Sequence, residues 1–151
     1  MKRMLTALAL CLAAPGAWAG PGDIVTLQAA REVPATMDAL EAAVTGAGAT
    51  VFARVDHAAG AAGVDMQLAP AQLLIFGNPM LGTPAMQDEA LAGVFLPLRV
   101  LVYEDAQGRV WLAYEDPGAM LGALPGIAEE AGYIAQMRAA LAKLTGAAAG
   151  G

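Results

Sequence analysis

The chain has 151 residues, 8 basic and 14 acidic side chains, and a net charge of −6. Nucleic-acid binding depends on clustered Lys and Arg side chains that neutralise phosphates, so this acidic composition argues against nucleic acid and against an anionic membrane surface. The length suits one domain with a sizeable hydrophobic core.

Residues 1–19 have the pattern of a secretory signal peptide. Lys2 and Arg3 give a positive start, and an uninterrupted apolar run follows from Met4 to Ala14. This run is shorter than the roughly 20 residues that span a bilayer, which argues against the alternative of a retained membrane anchor. The sequence Ala-Trp-Ala at 17–19 predicts cleavage after Ala19. We therefore expect an exported bacterial protein, periplasmic or secreted, that is free of the membrane after cleavage.

Cleavage would also change the chemistry available to the chain. It would remove Cys11, the only cysteine, and leave six basic residues against fourteen acidic ones, a net charge of −8. The chain has no serine, His57 is its only histidine, and Lys143 would be the only lysine left. Ser–His and Cys–His catalysis therefore lack a nucleophile. A zinc site, which needs three or four ligands, would have to rely on carboxylates or on a dimer interface.

The elements predicted after the cleavage site form one domain over residues 20–146. In chain order they begin with a strand at 24–27, a helix at 34–46, a strand at 50–55, a short helical segment at 58–62 and a strand at 73–76. A short helix follows, which Thr83 caps and which ends at Leu91. Two hairpin strands at 98–104 and 109–115 and an amphipathic helix at 127–144 complete the order. A flexible tail is expected at 147–151. This order predicts an α+β fold: a single two-layer domain whose mainly antiparallel sheet contains a central β-hairpin and is backed by helices.

The hairpin carries information about both faces of the sheet. A four-residue turn at 105–108 predicts that Glu104 faces Arg109 and that Val102 faces Trp111. Both faces of the hairpin are then largely apolar. In a sheet with one solvated face, apolar and polar residues would instead alternate along each strand. Helices, a ligand or a second copy of the chain must cover the second face, and a symmetric homodimer is the plainest of these.

The polar candidates for a binding site are few. His57 follows Asp56 at a strand end, where the two residues could act as an acid–base pair or where His57 could bind a metal. The alternative is a histidine that is hydrogen-bonded to a carboxylate or a backbone carbonyl. Backbone amides near Asn78 and Thr83 could hold an anionic group, or the loop could be a tight turn that the fold requires. Tyr114 completes the set of candidates.

A copper site is a further possibility. Met66, Met80 and Met86 follow His57 along the chain, and soft thioether ligands suit Cu(I). Their wide spacing argues the other way, because methionine is also a common core residue.

Several short motifs occur together between residues 36 and 125. They are Val-Asp-His-Ala at 55–58, Leu-Leu-Ile-Phe-Gly-Asn-Pro at 73–79, Gly-Thr-Pro at 82–84, Leu-Pro-Leu at 96–98 and Val-Trp-Leu-Ala-Tyr at 110–114. In this order they resemble the family called domain of unknown function 302. The resemblance implies a compact and often dimeric α+β domain, with a sheet backed by helices, and it implies no established activity.

The chain departs from the pattern of that family at two places. Phe95 stands where the family usually has Asp before Leu-Pro-Leu, and Leu124-Pro125 stands where it often has Arg-His. The resemblance therefore implies reduced odds of catalysis here. We expect a non-enzymatic binding or interaction module, with no cofactor that the sequence identifies. The alternatives are a protein that binds a small molecule or copper, and an acid–base enzyme centred on His57.

Overall fold

A computed structural model describes residues 23–128 and 130–150 of the chain. The predicted signal peptide, with its cleavage site and Cys11, lies outside these residues. None of the helices in the described part of the chain has the length and apolar character needed to span a bilayer.

The described residues form an α+β domain with one antiparallel sheet. The strands are β1 (Ile24–Ala29), β2 (Thr50–Asp56), β3 (Ala71–Gly77), β4 (Leu98–Glu104) and β5 (Val110–Glu115), in the spatial order β1-β5-β4-β3-β2. The helices are α1 (Val33–Gly46), α2 (His57–Ala62), α3 (Pro79–Asp88), α4 (Pro117–Gly122) and α5 (Gly132–Ala149), with a 3-10 helix at Ala90–Val94. This architecture confirms the predicted fold class.

The larger hydrophobic core lies between the sheet and helices α1 and α5. Alternate side chains of the central strands point into it, and six of them are buried: Leu74, Phe76, Val100, Val102, Val110 and Leu112. The helices contribute Met37, Leu40 and Val44 of α1 and Leu141 and Leu144 of α5, which recur at three- and four-residue spacing.

A smaller core lies where α3, the 3-10 helix, α4 and α5 meet. Its buried side chains include Ala85, Ala92, Leu121, Ile134 and Met137. Leu98, at the start of β4, packs against both cores. The two cores therefore meet at one end of the sheet, where β3 ends and β4 begins.

In the part of the chain that the structure describes, the opposite face of the sheet contributes no side chain to either of the two buried cores. We call it the open sheet face. The side chains at its centre are half-buried, and among the described residues they belong to neither buried core: Leu73, Ile75, Leu101, Tyr103, Trp111 and Ala113.

The predicted hairpin register was wrong by one residue. Glu104 pairs with Val110, and Tyr103 pairs with Trp111. The Asp105 N–H donates to the Arg109 carbonyl oxygen at 2.8 Å, and Gly108 has a φ of 74°. The loop is therefore a three-residue turn with glycine in the left-handed region, not the predicted four-residue turn. A shift of one residue exchanges the faces of a strand, so Trp111 lies on the open sheet face.

Several helix boundaries also differ from the prediction: α5 begins at Gly132 rather than at 127, and α4 was not predicted. Thr83 was expected to cap a helix, but α3 begins at Pro79 and Asn78 caps it, with the Met80 N–H donating to Asn78 Oδ1 at 2.9 Å. Thr83 lies inside α3. At the other end of the chain, α5 continues through 147–149, which were expected to belong to a tail. Burial of Ala148 against the larger core stabilises this last turn.

Candidate functional site

A cavity of about 330 Å³ lies at the end of the sheet where β3 runs into α3. Asn78 and Thr83 are the polar side chains of its wall, and no charged residue lines it. Apolar side chains form most of the rest: Phe52, Leu81, Met86, Leu96, Leu98 and Met137. This volume falls in the range of about 300–1,000 Å³ that is typical of small-molecule sites.

Glycine residues shape the cavity wall. A Cβ atom at position 77 would lie 3.3 Å from Phe52 Cε2, so glycine allows this close approach. A Cβ atom at position 93 would lie 3.1 Å from Met86 Cε. At Gly82 a Cβ atom would have only an ordinary contact, 3.6 Å from Leu96 Cδ1. Gly82 therefore leaves space where any larger residue would project into the cavity.

Phe52 reaches the cavity because β2 is irregular. The pairing between β2 and β3 shifts between Val51 and Ala53, which leaves Phe52 outside the regular ladder. Its side chain is 58% exposed. An irregularity of this kind leaves an unpaired residue and redirects its side chain. The sequence carries no signal for it, so Phe52 was not among the predicted site residues.

The five predicted binding residues lie in three separate places. Asn78 and Thr83 line the cavity. Asp56 and His57 lie at the other end of β2, because the strand residue that pairs with Gly77 is Thr50. With about 3.3 Å per strand residue, Asp56 is about 20 Å from that end of the strand.

Tyr114, the fifth candidate, lies on the face of the sheet that the helices cover. Its side chain packs against the larger core rather than lining the cavity. Burial raises the pKa of its phenol, while a hydrogen bond with Thr145 of α5 acts in the opposite direction. This environment is that of a structural tyrosine at a helix–sheet contact.

Asp56 is engaged in local structure rather than with His57. The Ala59 N–H donates to Asp56 Oδ1 at 2.8 Å, and Gln72 Nε2 donates to Asp56 Oδ2 at 3.1 Å. The Ala59 hydrogen bond holds the pKa of this carboxyl below its ordinary value, and the Gln72 bond adds to the effect. Asp56 thus caps the start of α2, while His57 is exposed.

The four predicted metal ligands do not meet at one point. Met66 follows the short helix that His57 begins, whereas Met80 and Met86 belong to α3 at the other end of the sheet. Met80 is 80% exposed, and Met86 lines the cavity. In the described part of the chain, no three His, Cys, Asp or Glu groups lie close enough together to hold a metal ion.

The architecture and the cavity define a small α+β domain with an apolar pocket at one end of its sheet. Residues 25–145 match the family described as Domain of unknown function DUF302. The chain belongs to this family, which confirms the resemblance that the sequence motifs indicated.

A solved structure shows the same fold. The crystal structure of the uncharacterized conserved protein DUF302 from Bacillus stearothermophilus has a TM-score of 0.74 and 18% sequence identity to this chain. The alignment covers 83% of this chain and 97% of the other. At this identity the likeness extends to the fold alone.

Curated relatives share part of their length with the chain. The protein named fluoride-specific ion channel FluC 1 of Brucella suis biovar 1 (strain 1330) is 44% identical over 94 residues, which are 62% of this chain and 37% of the relative. The protein of the same name in Brucella abortus biovar 1 (strain 9-941) has the same identity, over 35% of its length. The chain therefore spans little more than a third of these relatives.

Proposed function

We propose that this domain binds a small, uncharged and largely apolar molecule in the cavity at the end of β3, and that it does so outside the cytoplasm. The observation that carries the proposal is a cavity of about 330 Å³ whose wall is apolar except for Asn78 and Thr83. Removing apolar surface from water favours binding by about 25 cal/mol per Å². The export half of the proposal is supported by the signal pattern at 1–19.

The wall of the cavity selects the chemistry of the ligand. Burying a charge without a partner is costly, and none of the lining side chains is charged, so the ligand should be neutral. The capping bond of Asn78 uses its side-chain oxygen, which leaves the amide N–H groups free to donate to a ligand. A neutral molecule with one hydrogen-bonding group fits this description.

The volume of the cavity indicates the size of molecule that suits it. If each non-hydrogen atom needs about 30 Å³, the share of a water molecule in the liquid, about ten such atoms would fill about 330 Å³. A two-ring aromatic molecule such as indole is close to this size.

The acid–base alternative centred on His57 has less support. Both Asp56 oxygens already accept hydrogen bonds, from Ala59 and Gln72, and His57 lies far from the cavity. A copper site has less support for a related reason, since His57 and Met66 lie far from Met80 and Met86.

Indole titration of the purified domain tests the proposal. We expect binding tighter than about 1 mM by calorimetry, with amide chemical-shift changes at Gly77, Asn78 and Gly82. The Gly82→Leu variant fills the cavity and should weaken indole binding at least about tenfold, which corresponds to about 1.4 kcal/mol. Leucine also favours a helix over glycine, so the variant should fold.

Gly60→Leu is the matched control. It introduces the same side chain into α2, where a Cβ atom would have no neighbour within 4 Å, and it should leave indole binding unchanged. Indole-3-carboxylate and sodium fluoride serve as charged probes; fluoride is included because of the names of the Brucella relatives. Equal binding of indole to both leucine variants, or preference for the charged probes, would contradict the proposal.

A further inference from the structure

Two large apolar side chains in the cavity wall are only partly covered by protein. Phe52 is 58% exposed and Met86 is 47% exposed, although both line the cavity. Single exposed apolar residues are common on protein surfaces, but these two lie at the wall of one apolar cavity. A molecule in the cavity would cover them, so the identity of these side chains bears on which molecule binds best.

Glycine residues seat both side chains. The Phe52 ring lies against the backbone of β3 at Gly77, where a Cβ atom would be 3.3 Å from Phe52 Cε2. The Met86 methyl group lies against the 3-10 helix at Gly93, where a Cβ atom would be 3.1 Å away. Each side chain is therefore packed closely on one side, and its uncovered part remains available to a ligand.

Helix α3 turns one face toward the cavity. The residues of this face recur at three- and four-residue spacing along the helix: Pro79, Gly82, Thr83 and Met86. Gly82 has no side chain to project from this face, and glycine is the residue that lets another molecule approach the backbone closely. A flat molecule can therefore lie against the helix beside Met86.

The cavity wall thus offers one aromatic ring and two thioether groups. The second thioether belongs to Met137 of α5, which is buried at 1% exposure and lines the cavity from below the smaller core. An aromatic ligand can pair with the Phe52 ring in an offset or edge-to-face arrangement, and methionine sulfur also contacts aromatic rings favourably. A saturated molecule of the same size would bury a similar apolar area but would gain neither contact.

We propose that the molecule bound in the cavity is a flat aromatic compound, and that Phe52 and Met86 select it over saturated compounds of the same size. This inference rests on the proposed function, because it concerns the ligand of the same cavity. It adds the chemical class of that ligand, since size and neutrality fit aromatic and saturated molecules equally well. Phe52 comes from β2 and Met86 from α3, so a ring that contacts both lies within the cavity.

Calorimetric titration of the purified protein with 2-naphthol and with decahydro-2-naphthol tests the inference. The two neutral compounds share a carbon skeleton and a hydroxyl group, and they differ in whether the rings are aromatic. We expect 2-naphthol to bind at least about fivefold more tightly, because each aromatic or sulfur contact is worth about two- to tenfold in affinity.

Two substitutions test the residues that select the ring. Phe52→Leu removes the aromatic ring and Met86→Leu removes the sulfur, and each keeps an apolar side chain. Each should reduce the preference for 2-naphthol at least about twofold, chiefly by weakening the binding of 2-naphthol. Both positions are half-exposed, so the variants should fold, and circular dichroism checks this.

The matched controls are Phe95→Leu and Met80→Leu. They make the same two changes at residues that do not line the cavity, and Met80 belongs to the same helix as Met86. Both controls should keep the preference of the unmodified protein for 2-naphthol.

The outcomes separate this inference from the function on which it rests. If neither compound binds, the proposed function fails and the inference fails with it. Equal binding of the two compounds, or tighter binding of the saturated one, would overturn the inference and leave the proposed function in place. A preference for 2-naphthol that Phe52→Leu and Met86→Leu both leave unchanged would also overturn it, since other residues would then select the ring.

Discussion

At the scale of single residues, Asp116 connects the end of the sheet to two helices. Its Oδ1 accepts hydrogen bonds from the Gly118 and Ala119 N–H groups at 2.9 and 3.1 Å, which caps α4. Arg138 of α5 donates from Nε to Asp116 Oδ2 at 2.7 Å. A Cβ atom at position 118 would clash with the Arg138 guanidinium, so this contact requires glycine there. One carboxylate thus fixes α4 against α5.

Asp116→Asn should destabilise the domain by about 1–2 kcal/mol at pH 7, because it removes the charge from a helix cap and from a charge-assisted hydrogen bond. The Arg138 hydrogen bond holds the pKa of Asp116 below its ordinary value. A carboxyl with a lowered folded-state pKa contributes stability above its unfolded pKa, about 4, and loses that contribution as the pH falls through the folded value. Urea unfolding at several pH values should therefore show the difference between the two proteins shrinking below about pH 4.

Asp65→Asn is the control for this substitution. Asp65 is exposed and has a φ of 58°, a left-handed conformation that asparagine also tolerates. It should change the free energy of unfolding by less than about 0.5 kcal/mol. An Asp116→Asn effect no larger than that of the control would refute the role assigned to Asp116.

At the scale of elements, local sequence pattern located the strands and most of the helices. Val, Leu and Tyr residues mark both hairpin strands, and Pro34 marks the first turn of α1. The hairpin register was predicted wrongly because it depends on which residues form the loop. The side chain of Asp105 determines the length of that loop. Its side chain accepts hydrogen bonds from the Gln107 and Arg109 N–H groups and from the Trp111 indole. These contacts hold a turn one residue shorter than the sequence suggested.

The start of α3 was missed for a different reason. The chain offers two Asn/Thr-Pro pairs, at 78–79 and 83–84, and either fits the start of a helix. The structure uses the first pair and accommodates Pro84 inside the helix, where Ala85 is buried in the smaller core. Burial in the tertiary structure thus decides between two caps that local sequence leaves equivalent.

Gly108→Ala should destabilise the domain by about 1 kcal/mol, because alanine disfavours the left-handed backbone. Gly108 has a φ of 74°, and a Cβ atom there would have no neighbour within 4 Å, so the loss would come from backbone strain rather than from a clash. Thermal unfolding measures the loss. The control is Gly60→Ala in α2, where alanine should raise stability, and equal effects of the two substitutions would contradict the observed loop.

At the scale of the whole molecule, the sequence predicted the fold class and the family but not the cavity. Motifs such as Phe-Gly-Asn-Pro are local and could be identified directly. The cavity wall comes from β2, α3, β4 and α5, and no spacing along the chain shows that Phe52 and Met137 line the same space. Asn78 and Thr83 were predicted from the backbone amides expected at a Gly-Asn-Pro turn and at a helix start, and this reasoning did not foresee the apolar cavity whose wall they share.

Export can be tested by expressing the full chain in a Gram-negative bacterium. Osmotic-shock fractionation and intact-mass measurement should recover a periplasmic protein that begins at Gly20, because Ala17 and Ala19 fit signal peptidase. The control is Ala19→Arg, which should block processing and leave the precursor in the membrane fraction. An unprocessed wild-type chain in the cytosol would contradict the prediction.

The two cores meet at Leu98, and the cavity beside this contact should affect the order in which the cores open to hydrogen exchange. The cavity lies beside this contact and is lined by Leu98 and by Met137 of the smaller core. In protein kept free of ligand, wall atoms that face the cavity lack van der Waals partners on that side, so the smaller core should then exchange its amide hydrogens before the larger one. A molecule in the cavity would supply those partners, and the two cores would then exchange as a single cooperative unit.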